Sequence, residues 1–284
     1  MGTTAQKLNK ILETKEAIRT AINNKGGTLT TTDTFASYPS AIDSLPSGGN
    51  DWLKEYLDET KDATYFFSGY SNYSNTTWGN NLTYERLQNI LSYNTTSSVT
   101  NMEGMFYYCE KLTTIPLIDT SLVTIMYSMF SNCSKLTTIP QLDTSNVMNM
   151  ALMFNYCTNL TKMPQLNTSK VITMDKMFYN CRKLTTIDIT HMNITSSTYS
   201  DSFAYNCNSL TKLIIRNIDS IPPLNSNAFT NCYHFTGTTD ATYNPQGLKD
   251  GRIYVPDDKV DALKTASGWS TYADIIVGLS TLQE

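Results

Sequence analysis

Four stretches of this chain are copies of one another: TSSVTNMEGMFYYCEKLTTIPLID from Thr96, TSLVTIMYSMFSNCSKLTTIPQLD from Thr120, TSNVMNMALMFNYCTNLTKMPQLN from Thr144 and TSKVITMDKMFYNCRKLTTIDIT from Thr168. The step is 24 residues (120−96), and two looser copies follow from Ser200 and Asn225, with cysteine steps of 26 (207−181) and 25 (232−207). A fixed period of this length marks a solenoid, because one unit is too small to bury its own apolar side and must stack on its neighbours. The recurring apolar positions are Val99, Met102, Met105, Phe106, Cys109, Leu112, Ile115 and Ile118 in the first copy, with Val123 to Leu142 matching them in the second. These face inward. Gaps of three and four through the first half predict a short helical segment, and the β-branched LTTIP stretch after the cysteine predicts a short strand. The expected fold is an α/β repeat solenoid, leucine-rich-repeat-like, of about six coils of 24–26 residues. One strand per coil should form a parallel ladder through Leu112, Leu136, Leu160 and Leu184, at ~4.8 Å spacing.

The rest of the chain divides around this array: an N-terminal helical attachment module at 1–46, a linker at 47–51, an N-terminal cap at 52–95, the solenoid at 96–237 and a C-terminal cap at 238–284. A helix is expected from about Ala5 to Asn23, opened by Thr3 and Gln6 and stopped by Gly26-Gly27, with a second short stretch from Thr34 to Leu45. Leu8, Ile11, Ile18 and Ile22 fall at heptad-like positions and form a stripe for assembly, so a homo-oligomer, such as the trimer of many fibres, is the expectation. The basic excess of this helix reads as a solvated face, because its apolar stripe lacks an aromatic membrane anchor. Trp52, Leu53, Tyr56 and Leu57, with Phe66, Phe67, Leu87 and Ile90, are expected to cover the open end of the first coil. At the far end Pro256-Asp257 introduces a helix bearing Val260, Leu263 and Ala266, which Gly268 stops before Trp269 and Tyr272.

Six cysteines, Cys109, Cys133, Cys157, Cys181, Cys207 and Cys232, share one repeat position. Two readings stand: a column of buried free thiols, or bridges between adjacent coils, which strand spacing would permit. The Phe106, Phe130, Phe154, Phe178 and Met105, Met129, Met153, Met177 columns read as core. The two histidines, His191 and His234, have no zinc-ligand spacing, and no metal or cofactor is expected. A formal charge of −4, from 21 basic and 25 acidic residues, argues against nucleic acid as a partner. No apolar run is long enough for membrane insertion, and the opening Met-Gly-Thr-Thr-Ala-Gln-Lys lacks the basic and apolar regions of a secretory signal, so export by the general pathway is not expected.

No nucleophile elbow, glycine-rich phosphate loop or isolated carboxylate pair occurs, and a non-enzymatic binding protein is the expectation. Two outward columns are candidates for contact. Tyr107, Tyr108, Tyr127, Tyr156, Tyr179 and Tyr205 surround the Phe-x-x-Cys turn and supply stiff amphipathic area, or else pack on one another as a ladder. Thr113, Thr137, Thr161 and Thr185 form a polar strand face that is either a binding surface or merely solvated.

The TS-x-V-x-x-M-x-x-MF-x-x-C-x-x-L-T-x-I-P unit resembles the BspA-type leucine-rich repeats of bacterial surface and related proteins, and IYVPDDKVDALKTASGWSTYADII resembles the cap that closes such arrays. The resemblance covers about residues 96–284 and implies a solenoid for binding and adhesion, with no catalytic residues to carry over. KLNKILETKEAIRTAINNKGGTLTTTDTFASYPSAIDSL, about residues 5–46, is similar to modules that begin tail, baseplate and other virion proteins of bacteriophages. Together these imply a virion structural protein that contacts other virion proteins through its start and a host-surface protein or glycan through its rod. The alternative is a bacterial cell-surface adhesin.

Overall fold

The 24-residue period reappears in the backbone hydrogen bonds. In the computed structural model, which describes residues 16–24, 28–29, 51–68, 82–91, 93–192 and 201–283, the N–H groups of Met102, Gly104, Phe106 and Tyr108 donate to the carbonyls of Ile125, Tyr127, Met129 and Ser131 in the next coil, at 2.8–2.9 Å. The same steps recur from Met126, Ser128, Phe130 and Asn132 to Asn149, Ala151, Met153 and Asn155. The intervening N–H groups of Met105, Tyr107 and Cys109 fold back three residues, onto Met102, Gly104 and Phe106. This is a spiral of turns. The expected helical segment of each regular coil is therefore corrected, and the backbone gives the reason. Gly104 and Tyr108, Ser128 and Asn132, Leu152 and Tyr156, and Lys176 and Asn180 all have φ between 51° and 63°. A right-handed helix cannot pass through such residues, whereas a type II turn takes one at its third position. Apolar gaps of three arise from these turn steps.

The strand expectation also needs correction in the early coils. Regular strands form at β1 (Thr186–His191), β2 (Lys212–Asn217), β3 (Arg252–Val255) and β4 (Ile276–Gly278), a parallel sheet in that order. The register aligns Thr186 with Lys212 and Lys212 with Arg252. Before β1 the LTTIP stretches are tied by narrower links, Thr137 N to Thr113 O at 2.9 Å and Thr161 N to Thr137 O at 3.1 Å. Pro116, Pro140 and Pro164 remove the next ladder donor, and the fourth coil carries Asp188 where its predecessor carries Pro164. Strand β1 begins in that coil. Leu112, Leu136, Leu160 and Leu184 are still fully buried, one above another.

Inside the rod, Phe67, Phe106, Phe130, Phe154 and Phe178 stack with centroids 5.4–5.6 Å apart and planes within 7°. Burying each such ring is worth roughly 1.5–3 kcal/mol. The stack then turns edge-on, at 90° from Phe178 to Phe203 and 89° from Phe203 to Phe229, where the step between coils lengthens. Phe67 lies ahead of the first recognised copy. Ala63, Tyr65 and Phe67 donate to Asn101, Glu103 and Met105, so residues 62–68 form the turn half of an additional coil. Gly104 answers to that coil, since a Cβ there would sit 2.2 Å from the Tyr65 ring.

Both ends are closed by helices. Helix α1 covers 16–24, α2 is Asp51–Thr60 and α3 is Tyr84–Ile90, whose N-cap Thr83 accepts from Arg86 N. Leu53, Leu57, Leu87 and both Ile18 and Ile22 are buried in the same core as the coils. Ile18 and Ile22 thus belong to the chain's own interior, and the assembly stripe is corrected there: a side chain without exposure offers no face to a sister helix. Leu8 and Ile11, with the capping pair, the Thr34–Leu45 stretch and the linker up to Asn50, lie outside the described residues. Asn23 and Leu29 exchange side-chain and backbone bonds of 2.6 and 2.8 Å just past α1. At the other end α4 (Tyr233–Thr236) completes the last coil, and a 3-10 turn at Asp257–Lys259 leads into α5 (Val260–Thr265). Leu263 and Trp269 are fully buried, and the indole N–H donates to Pro222 O at 2.8 Å. Gly268, at φ 79°, brings the backbone against Leu224, whose carbonyl oxygen would lie 2.2 Å from any Cβ there. Among the described residues no helix is long and apolar enough to cross a membrane.

Candidate binding surface

Much of the polar inventory of the coils belongs to the scaffold. The buried threonine that opens each copy donates to the residue that closes it one turn later, Thr96 to Asp119 O, Thr120 to Asp143 O and Thr144 to Asn167 O, at 2.8–2.9 Å. Asp119, Asp143 and Asn167 in turn accept the N–H of Ser121, Ser145 and Ser169 as Asx turns. All six cysteines are free and buried. Each Sγ donates to a carbonyl of the preceding coil, those of Phe67, Phe106, Phe130, Phe154, Phe178 and Ala204, at 3.0–3.1 Å. Burial pushes the Cys157, Cys181, Cys207 and Cys232 thiols up, which removes the thiolate needed for reactivity or metal ligation. Among the described residues no group of three or more His, Cys, Asp or Glu could hold a metal ion.

The six tyrosines do not form one surface. Tyr127 is buried at 7 % exposure, which corrects its reading as a contact residue, and burial pushes its phenol up. Tyr107 and Tyr108 meet edge-on at 4.6 Å, and Tyr107 also meets Tyr65 at 5.7 Å. Tyr156, Tyr179 and Tyr205 make a separate row, with centroids 5.6 and 4.9 Å apart, the second pair stacked within 7°. Of the two readings offered for them, stacking describes this row. Tyr156 also remains 42 % exposed at its end.

Thr113, Thr137, Thr161 and Thr185 do lie in an exposed column. Their hydroxyls are partly committed: Thr137 donates to Thr113 O at 3.1 Å, Thr161 to Thr137 O at 3.2 Å, and Thr211 continues onto Thr185 O. What the column offers a ligand is methyl groups and oxygen lone pairs.

A groove escaped the sequence reading. It has a volume of about 550 Å³ and crosses successive coils at the corner between the LTTIP stretch and the Thr-Ser pair, with Leu117, Thr120, Gln141, Asp143, Gln165 and Asn167 among its walls. The amide of Gln141 donates to Gln165 O and that of Gln165 to Asp188 Oδ1, each at 3.0 Å. Ser145 hydrogen bonds hold the Asp143 carboxyl below the usual carboxylate range, so it is ionised at neutral pH. With the Gln141 amide, Thr120 and Thr144 protons engaged, the walls present acceptors at Asp143 and Asn167 beside an apolar patch at Leu117, which is 53 % exposed. Such a groove suits a ligand rich in hydroxyl donors. A signal was present in the sequence in the column Leu117, Gln141 and Gln165, which changes from apolar to polar within closely similar copies, but other columns, such as Leu122, Asn146 and Lys170, change in the same way.

No curated protein matches the chain. Three overlapping stretches, 72–163, 113–217 and 136–240, match the family described as "Mycoplasma protein of unknown function, DUF285", the later two displaced by about one repeat. The matched span, 72–240, is more than half of the 284 residues, and the chain belongs to this family of BspA-like repeat proteins.

Proposed function

We propose that the chain is a non-enzymatic structural protein of a bacteriophage virion, of the fibre or tail or head appendage type, whose repeat rod binds a host-surface protein or glycan. The observation that carries the binding role is the acceptor-rich groove at Leu117, Gln141 and Asp143, continuous across coils and open to solvent. Glycans supply many hydroxyl donors and an apolar ring face, which such walls complement. The virion setting rests on the similarity of residues 5–46 to virion modules; attachment to other virion proteins, and homo-oligomerisation as a trimer, fall to Leu8 and Ile11 of that segment. A bacterial cell-surface adhesin is the second reading, favoured by the family's BspA-like repeats.

The test is a glycan array probed with the full chain and with Leu117→Arg, which fills the groove from an exposed position. The variant should lose about tenfold in binding, as expected for ~1.4 kcal/mol, at an unchanged melting temperature. Equal binding by both proteins would remove the groove from the mechanism. Immunodetection in purified phage particles against the cell envelope separates the two settings.

A further inference from the structure

Charge on the coils is sorted by position in the repeat. Lys135, Lys162, Arg182, Lys183 and Lys212 all lie in the stretch that follows the cysteine, whereas Glu103, Asp119, Asp143, Asp175 and Asp201 lie outside it. The carboxylates within it are Glu110, at the edge of the first coil, and Asp188, which Arg216 holds with two bonds of 3.0 and 2.7 Å. Elsewhere Lys176 pairs with Asp201 at 3.3 Å and Lys249 with Asp274 at 2.8 Å, whereas Lys170, alone on its coil's opening turn, reaches the Asn146 amide oxygen at 2.6 Å. Among the described residues none of the five strand-face cations has a carboxylate partner, and Lys183 reaches only the Asn159 amide oxygen, at 2.7 Å. Four of the five are exposed and Lys212 is half-buried. Among the described residues a protein of net charge −4 thus carries a cationic strip without carboxylate partners, beside the threonine column.

The strip has a pitch. From the second coil to the fifth each coil contributes at least one cation, two residues past the cysteine at Lys135 and Lys183 and five past it at Lys162 and Lys212, so the charges zigzag between two columns while advancing by ~4.8 Å per coil. We propose that this face binds a linear anionic polysaccharide, bearing a carboxylate, sulfate or phosphate on successive sugars and laid along the rod axis. Threonine oxygens between the cations accept the sugar hydroxyls. Duplex nucleic acid fits poorly, since it presents one charge per ~1.7 Å. The post-cysteine stretches of coils two to five also contain no aromatic residue on which bases could stack. The inference rests on the reading of the rod as a glycan-binding element, but it uses a different face from the groove.

The full chain is applied to immobilised heparin and to hyaluronate, with neutral dextran and duplex DNA as comparisons, at increasing salt. Retention on both acidic polysaccharides, and not on dextran, should fall steeply with salt. It should weaken at least about tenfold when Lys135, Lys162, Lys183 and Lys212 are all changed to Gln. A control with Lys170, Lys249, Lys259 and Lys264 changed to Gln has the same net charge and should bind like the parent. No retention at low salt, or equal loss in the control, would overturn the proposal, and DNA binding as tight as heparin binding would replace it with nucleic-acid recognition. Array binding that is sensitive to Leu117→Arg but indifferent to the strand-face lysines would sink this inference while leaving the groove reading standing.

Discussion

Cys157 and Asp175 show how differently a buried and a half-buried group can fare at neighbouring turns of the rod. The thiol of Cys157 donates to Phe130 O at 3.1 Å and burial pushes it well above its ordinary value, so the neutral form is the one the fold holds. The Cys181, Cys207 and Cys232 thiols are raised for the same reason. In the unfolded chain these thiols ionise near pH ~8.5. Between that value and the higher folded one, the folded state retains protons the unfolded state has released, so stability should fall as pH rises through this window. Urea unfolding at about pH 7 and pH 10 checks the slope; the same samples should resist iodoacetamide while folded and take up six alkyl groups when unfolded. A constant midpoint with rapid alkylation would mean that the column opens to solvent. Asp175 is the opposite case. Its Oδ1 is buried without a hydrogen-bond partner, Lys176 stands 3.9 Å from Oδ2, and burial, with Asp201 adding to it, raises its pKa. The raised value means that the protonated form is favoured by folding, so this carboxylate destabilises the coil at neutral pH and ceases to do so in acid. Asp175→Asn should therefore raise the unfolding midpoint at about pH 7 and change little near pH 3, and a variant that is less stable at neutral pH would contradict this.

At the scale of the element, legibility in the sequence depended on what kind of signal each segment carried. Inward positions were legible, because burial repeats with the period: the phenylalanine, cysteine and leucine columns are all fully buried. The helical segment was not, since gaps of three are shared by a helical turn and a spiral of turns, and the deciding φ values sit at Ser128, Leu152 and Lys176, residues that do not announce a left-handed backbone. Asn132, Asn180 and Asn206 were the available hint, as asparagine tolerates that region. The Tyr65–Phe67 half-coil was missed because it keeps only the phenylalanine of the unit and lacks its methionine and cysteine. Strand length follows from proline. If Pro140 is what stops pairing in the second coil, Pro140→Thr restores an N–H and should extend the ladder toward the regular strand seen at Thr186–His191. Hydrogen exchange by mass spectrometry should then show about tenfold slower exchange over 137–141, the equivalent of one net hydrogen bond of ~1.4 kcal/mol. Unchanged exchange would place the interruption in the turns instead.

For the whole molecule, quasi-equivalent interfaces and the sealed ends make separate demands. Because the coil-to-coil bonds of Met102 to Tyr108 are repeated by Met126 to Asn132, removing Thr120 to Asp143 joins Asp119 to Thr144 and restores the same contacts one step on. The shortened chain should unfold cooperatively, with a lower denaturant slope in proportion to its size. The N-terminal segment is less dispensable. The sequence sets 1–46 apart as an attachment module behind a linker at 47–51, but Ile18, Ile22 and Leu29 are buried in the core that also holds Leu53 and Leu57. Each such side chain contributes roughly 1.5–3 kcal/mol when buried. A chain beginning at Asp51 should therefore lose several kcal/mol, melt at a lower temperature than the full chain and, with part of that core uncovered, self-associate more strongly in light scattering. If instead the two melt together and the shorter one remains monodisperse, α1 is an appendage, and the whole of 1–46 returns to the role of an anchor for partners.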